Sequence, residues 1–243
     1  ISSHDFESRL TAAKKAANAF LDSYALNASG DTSTKSRYVA VVAYNEYATT
    51  ELSFVDVTDS TARTNAKNTI NKLRAVEGTN TDAGLRLASN LLKTKDTANK
   101  FVVLLTDGQP TYYVNTTDPY VERDRTDVVP KGYAYNDGIE GTGSATTSAE
   151  TGAVETISKA LVNDGVRIYS VVYGLTKQNG TMETVPNGSG EDTPINDWMS
   201  DDCKMNGVFS ADSSDALNAA FKTILNTIQS ETVGTTIATS VHN

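Results

Sequence analysis

The sequence predicts an α/β fold of the doubly wound kind, a mostly parallel sheet with helices on both faces, and three observations carry that prediction. First, Phe101 to Leu105 is an unbroken apolar run, too short for a helix and without the alternation of a one-sided strand, so it reads as a strand buried on both faces. Second, the run stops at Thr106-Asp107-Gly108, which puts a carboxylate and a turn where open parallel sheets place their ligand sites. Third, strand and helix patterns alternate along the chain.

Composition narrows the function classes. In 243 residues, 38% hydrophobic, there is material for a sizeable core. A net charge of -9 makes nucleic acid and anionic membranes poor partners and favours cations and basic surfaces. The single cysteine, Cys203, excludes an internal disulfide and a Cys-based zinc site; it reads as a buried small residue or a free thiol. His4 and His242 stand at opposite ends of the sequence, which argues against a Ser-His-Asp relay or a His-rich metal site. No apolar stretch reaches the length of a membrane span and no signal peptide begins the chain, so membrane insertion is not expected and any targeting or anchoring segment is expected outside this sequence.

Taken in order, residues 4–26 carry Phe6, Leu10, Ala13, Ala17, Phe20 and Tyr24 at helical spacing, with Ser2 or Ser3 as N-cap. Arg37 to Tyr47 has the Val-rich centre of a covered strand, and Thr49 to Val57 alternates like an edge strand. A helix from Ser60 presents Ala62, Ala66, Ile70 and Leu73 and is expected to end at Gly78; the next runs to about Leu92, with Thr and Asp near its start as caps. From Thr111 to about Thr146 there is no periodicity, but Tyr112, Tyr113, Tyr120, Tyr133 and Tyr135 mark an ordered, adhesive surface loop. Residues 147–163 are helical, Val166 to Tyr173 is a strand, and a polar excursion from Gly174 to Asn206 holds a short helix near Ile195 to Met199. Val208-Phe209 is a brief strand, a helix spans about Asp215 to Ile228, and Thr235 to Val241 looks like an extended tail.

Gly141-x-Gly143 lacks the third glycine and the preceding strand of a phosphate loop, and Gly188-Ser189-Gly190 lacks the strand of a nucleophile elbow. What remains is Thr79 with Asp107, two hard oxygen donors suited to magnesium, calcium or manganese, at loops expected on the carboxyl edge of the sheet.

Gly78-Thr-Asn-Thr-Asp-Ala-Gly-Leu85 followed by Phe101 to Pro110 resembles the von Willebrand factor type A domain, and the likeness runs over nearly the whole chain. By that resemblance Thr79 and Asp107 are ligands of a metal-ion-dependent adhesion site, with magnesium the first choice of cation. The family's first motif, Asp-x-Ser-x-Ser at the end of a central strand, is not found before the first helix, where the chain begins Ile1-Ser2-Ser3-His4-Asp5. Residues 1–230 are therefore expected to form a type A domain lacking its first strand, and 231–243 an extended tail or linker. That strand is expected upstream or from another chain; the alternative is that Thr235 to Val241 fills the vacancy between Val39 to Tyr44 and Phe101 to Leu105.

Composition and the Tyr-bearing loop are similar to those of Gram-positive pilus tip adhesins and wall-anchored proteins. The resemblance implies a non-enzymatic module, extracellular at the bacterial surface, that binds a host or matrix protein through a ligand carboxylate, with Tyr112, Tyr113, Tyr133 and Tyr135 on the contact rim. Other domains of the same longer protein are further expected partners. The alternative is a structural stalk or assembly domain with a vestigial metal site. A metal-assisted hydrolase lacks a recognisable general base.

Overall fold

Alternate residues of each apolar strand face opposite ways, so a run such as Phe101 to Leu105 needs cover on both sides. The structure, a computed structural model, describes residues 3–26, 36–76, 78–96, 99–115, 138–177, 179–231 and 235–242. The chain begins with α1 (Ser3–Tyr24), β1 (Tyr38–Tyr44), β2 (Ala48–Asp56), α2 (Ser60–Lys72), α3 (Thr81–Lys93) and β3 (Asn99–Thr106). It continues through β4 (Tyr112–Val114), β5 (Ile139–Gly141), α4 (Ser148–Asn163), β6 (Val166–Tyr173), β7 (Thr184–Pro186) and β8 (Asp192–Pro194). The short α5 (Ile195–Asp197) runs into a π-helical turn at Trp198–Asp202, followed by β9 (Gly207–Ala211), α6 (Ser214–Glu231) and β10 (Thr235–His242).

The main sheet has the order β2-β1-β10-β3-β6-β9, parallel except for the edge strand β2. Val39, Val41, Phe101, Val103, Tyr169 and Val171 pack on one face with Phe20, Leu21, Ile70, Phe221 and Ile224 of α1, α2 and α6. Val42, Tyr44, Val102, Leu104, Ile168 and Val172 pack on the other with Leu85, Leu92, Val154 and Trp198. The predicted doubly wound arrangement is thus present, and the edge character expected of Thr49 to Val57 follows from its mixed exposure.

Local chemistry sets the helix ends. Asp59 caps α2 through Ala62 N–H, and Ser213 Oγ accepts from Ala216 N–H at the start of α6. Thr147 and Glu150 form a reciprocal capping box at α4. α2 stops at Lys72 with Leu73 as its C-cap, ahead of Gly78, which serves another purpose described below.

Two segments differ from the sequence expectation. The stretch read as aperiodic contributes β4 and β5, an antiparallel pair; Tyr120, Tyr133 and Tyr135 lie outside the described residues. The domain edge expected near Ser230 falls within α6, and Thr235–His242, read first as a tail, is an inner strand. Ile237 lies opposite Val39 on one side and Phe101 on the other, which is the alternative placement. An open slot between two apolar strands would leave two rows of N–H and C=O groups unpaired, and β10 satisfies both.

Cys203 is free and buried, and burial pushes its thiol well up from the ordinary range. Among the described residues no helix is long and apolar enough to cross a membrane.

Candidate functional site

The carboxyl edge of the parallel strands brings together the loop before α3 and the loop after β3. Thr106 begins the second loop with a local turn: its hydroxyl donates to Gly108 O at 2.8 Å, which sets Asp107 at the tip. The loop is then pinned at three places. Gln109 Nε2 donates to Thr184 O at 2.9 Å, Thr146 Oγ1 donates to Pro110 O at 2.6 Å, and Thr111 N–H donates to Thr79 O at 2.8 Å.

Thr79 is held by the same partner from both sides, since its own N–H donates to Thr111 Oγ1 at 3.0 Å and Tyr112 N–H also reaches its carbonyl at 3.1 Å. Thr79 is buried, and the Asp107 side chain keeps 16% exposure. The two predicted ligand residues therefore sit on loops locked to each other through Thr111. Beneath them Tyr44 donates from its phenol to Leu105 O at 3.0 Å, close to the side chains of Thr81 and Thr106 and to the charge of Asp107. Burial raises that phenol, so it stays neutral and serves as a hydrogen-bonding floor.

Asn80 does what sequence reading gave to the neighbouring Thr and Asp. Fully buried, it caps α3 by accepting from Ala83 N–H at 2.9 Å and ties down the β1–β2 turn by donating to Glu46 O at 2.9 Å. Its own N–H donates to Asn45 O at 2.6 Å. Asn80→Ala is expected to cost about 2 kcal/mol in urea denaturation, combining a lost cap with the lost bond to the Glu46 carbonyl; an unchanged midpoint would show that water replaces both bonds.

Asp82 turns inward instead of capping. Its carboxylate accepts from Val114 N–H at 2.9 Å and from Arg86 Nε at 2.8 Å, anchoring β4 to α3. Burial raises its pKa, against the opposing pull of Arg86 and the Val114 N–H. A signal for this was available in Asp82-x-x-x-Arg86, the i,i+4 spacing of a helical ion pair.

Of the four tyrosines assigned to the rim, Tyr133 and Tyr135 lie outside the described residues. Tyr112 is half-buried and wedged: a Cβ on Gly78 would come within 2.9 Å of its ring, and one on Gly143 within 2.5 Å of its hydroxyl. Gly78 also has φ +97 and backs onto Glu46 N, so both its conformation and its bareness are required here. Tyr113 hydrogen-bonds Glu140, which is joined also by Asn115 Nδ2. That contact pushes the Tyr113 phenol up to about 12 and lowers the Glu140 carboxyl.

A cation that sequence reading passed over stands beside Asp107. Arg9 of α1 places Nη1 4.0 Å from Asp107 Oδ2, while its Nη2 donates to Gly174 O at 3.4 Å.

This edge geometry, with α1, α2 and α6 on one face of the sheet and α3, α4 and α5 on the other, decides the comparison with known proteins. Residues 2–109 match the von Willebrand factor type A domain. The fold is that of a von Willebrand type A domain. The pilus adhesin SpaC from Lactobacillus rhamnosus GG superposes with a TM-score of 0.62 at 18% identity, over 92% of this chain and 28% of that one. The PilB minor pilin from Streptococcus sanguinis gives 0.63 at 20%, over 92% and 55%. The von Willebrand domain of the type V pili tip protein Mfa5 from Porphyromonas gingivalis gives 0.62 at 18%, over 92% and 89%. This chain thus spans well under two thirds of the adhesin and the minor pilin. No curated protein matches the sequence.

The type A edge offers one neutral hydroxyl and one carboxylate from two fixed loops. Those are hard donors suited to a divalent cation, but they fill only part of its shell. Among the described residues no group of three His, Cys, Asp or Glu side chains is placed to hold a metal ion.

Proposed function

We propose that this chain is a non-enzymatic, cation-dependent adhesion module of a bacterial surface or pilus protein, exposed outside the cell as a wall-anchored or pilus-associated part. The observation that carries this reading is the locking of the Thr79 and Asp107 loops to one another through Thr111 at the carboxyl edge. Its support from comparison is that the fold is shared with a pilus adhesin, a minor pilin and a pili tip protein.

In this reading Thr79 through its hydroxyl and Asp107 through its carboxylate hold a divalent cation, magnesium first and calcium or manganese after it. A bound cation with few anionic ligands supplies Lewis acidity toward an acidic group on an extracellular protein. The rest of its shell falls to water, to that acidic group and to residues beyond these two. The chain's own part is orientation: Thr111 fixes Thr79, the Thr106 turn fixes Asp107, and the Tyr112 wedge and the Tyr113–Glu140 pair shape one side of the approach. Magnesium titrated into the full-length protein by calorimetry tests this. Thr79→Ala is expected to weaken binding about tenfold, since one neutral ligand is lost from a site whose loops persist; equal affinity would remove Thr79 from the site.

One observation favours a second reading, a stalk or assembly domain with a vestigial site. Asp107 already has a guanidinium at 4.0 Å and does not require a metal for charge balance. Full-length protein that takes up no magnesium would leave this reading standing.

A further inference from the structure

Arg9 is an unusual neighbour for a cation ligand. Its guanidinium carries a fixed positive charge, and its Nη1 is buried with no hydrogen-bond partner among the described residues, 4.0 Å from Asp107 Oδ2. That distance is an electrostatic approach and not a formed hydrogen bond. The other branch rests on the Gly174 carbonyl at 3.4 Å, at the outer limit for such a bond. The guanidinium therefore faces Asp107 from a loosely made seat.

The seat depends on a glycine. Gly174 follows β6 with φ +72, and a Cβ built there would lie 2.8 Å from Arg9 Cζ and 3.0 Å from Nε. A side chain at this position would push the guanidinium out of its present seat against the turn. Gly174 N–H donates to Ala211 O at 2.7 Å, so the backbone under Arg9 is tied to the neighbouring strand.

A monovalent guanidinium and a divalent ion next to one carboxylate repel each other, so the two do not share Asp107 favourably. We propose that Arg9 is a built-in counter-charge that competes with the divalent cation for Asp107, so that loading the site requires its guanidinium to leave the Gly174 seat. This rests on Asp107 being a cation ligand. It makes cation affinity adjustable by anything that shifts α1, because the competing charge is carried on that helix.

The test measures Mn2+ affinity of the full-length protein and its variants by titration, using the metal alone. Arg9→Gln removes the charge, and Gly174→Ala keeps the charge but fills the seat. Both are expected to bind Mn2+ about tenfold more tightly, the scale on which one neighbouring charge shifts a carboxylate equilibrium. A second readout follows Arg9 itself. Its side-chain Nε–H resonance, assigned by its loss in Arg9→Gln, is expected to be distinct without metal and to average toward that of a free arginine when saturating Mg2+ is added. Equal Mn2+ affinity in the native protein and Arg9→Gln, with binding still lost in Asp107→Ala, overturns the competition and leaves the cation site intact. Binding that survives Asp107→Ala, or no binding in any form, overturns the site itself and the competition with it. If Gly174→Ala does not fold, Arg9→Gln and the resonance decide.

Discussion

Replacing Asp107 with alanine is expected to weaken magnesium binding by about a hundredfold or more while changing folding stability by no more than about 1 kcal/mol. The two effects separate because the carboxylate is the only charged group assigned to the cation, whereas its approach to Arg9 is 4.0 Å long with both side chains partly exposed, a contact that contributes little to folding. The loop itself is held by other atoms, namely the Thr106 turn, the Gln109–Thr184 bond and the Thr111–Thr79 bond, all of which survive the substitution. Asp107→Asn, which keeps an oxygen but loses the charge, is expected to fall between the native protein and Asp107→Ala. Calorimetry for the metal and urea denaturation for the fold check the pair of outcomes. Native-like magnesium uptake by Asp107→Ala would place the ion elsewhere.

Trp198→Ala is expected to have the largest effect on stability, about 4–5 kcal/mol, or roughly 10–15 °C in melting temperature for a domain of this size. Trp198 is fully buried in the core on the α3–α4 side of the sheet, so its loss leaves a large cavity. Its indole N–H also donates to Glu155 Oε1 at 3.0 Å. Glu155 is buried in turn, receives Gly188 N–H at 2.7 Å and pairs with Lys159 at 3.3 Å. Removing the indole therefore takes one of the donors that make this carboxylate tolerable inside the protein. Trp198→Phe keeps most of the volume and loses the donor, and is expected to cost about 1–2 kcal/mol. A thermal melt of both variants gives the division; a Trp198→Ala protein within about 1 kcal/mol of native would mean that the π-helical turn repacks around the gap.

How much of this was legible in the sequence depended on how local the cause was. The Phe101 to Leu105 run, the Val-rich centre of β1 and the helical stripes of α1 and α6 are periodic signals, and the structure has the corresponding strands and helices. Thr79 and Asp107 lie at the carboxyl edge of the parallel strands, where such sheets place their loops. The Thr147 and Glu150 capping box was readable from its three-residue spacing and was overlooked. Gly78 was misread because a helix stop and a left-handed residue under a tyrosine ring look alike when the ring comes from Tyr112, far along the chain.

The sequence alone determined the layers and the class of sheet, since both depend on burial patterns within a few residues, and it singled out Thr79 and Asp107 as the candidate oxygen donors. Only the tertiary structure decided that Arg9 faces Asp107, that Asp82 turns in to the Val114 N–H, that Glu155 lies buried against Trp198, and that Thr235–His242 runs between β1 and β3. The physical reason is the same in each case. A charged or polar side chain, or an unpaired strand edge, takes whichever partner the packed fold brings within reach, and that partner sits at no fixed distance in the sequence.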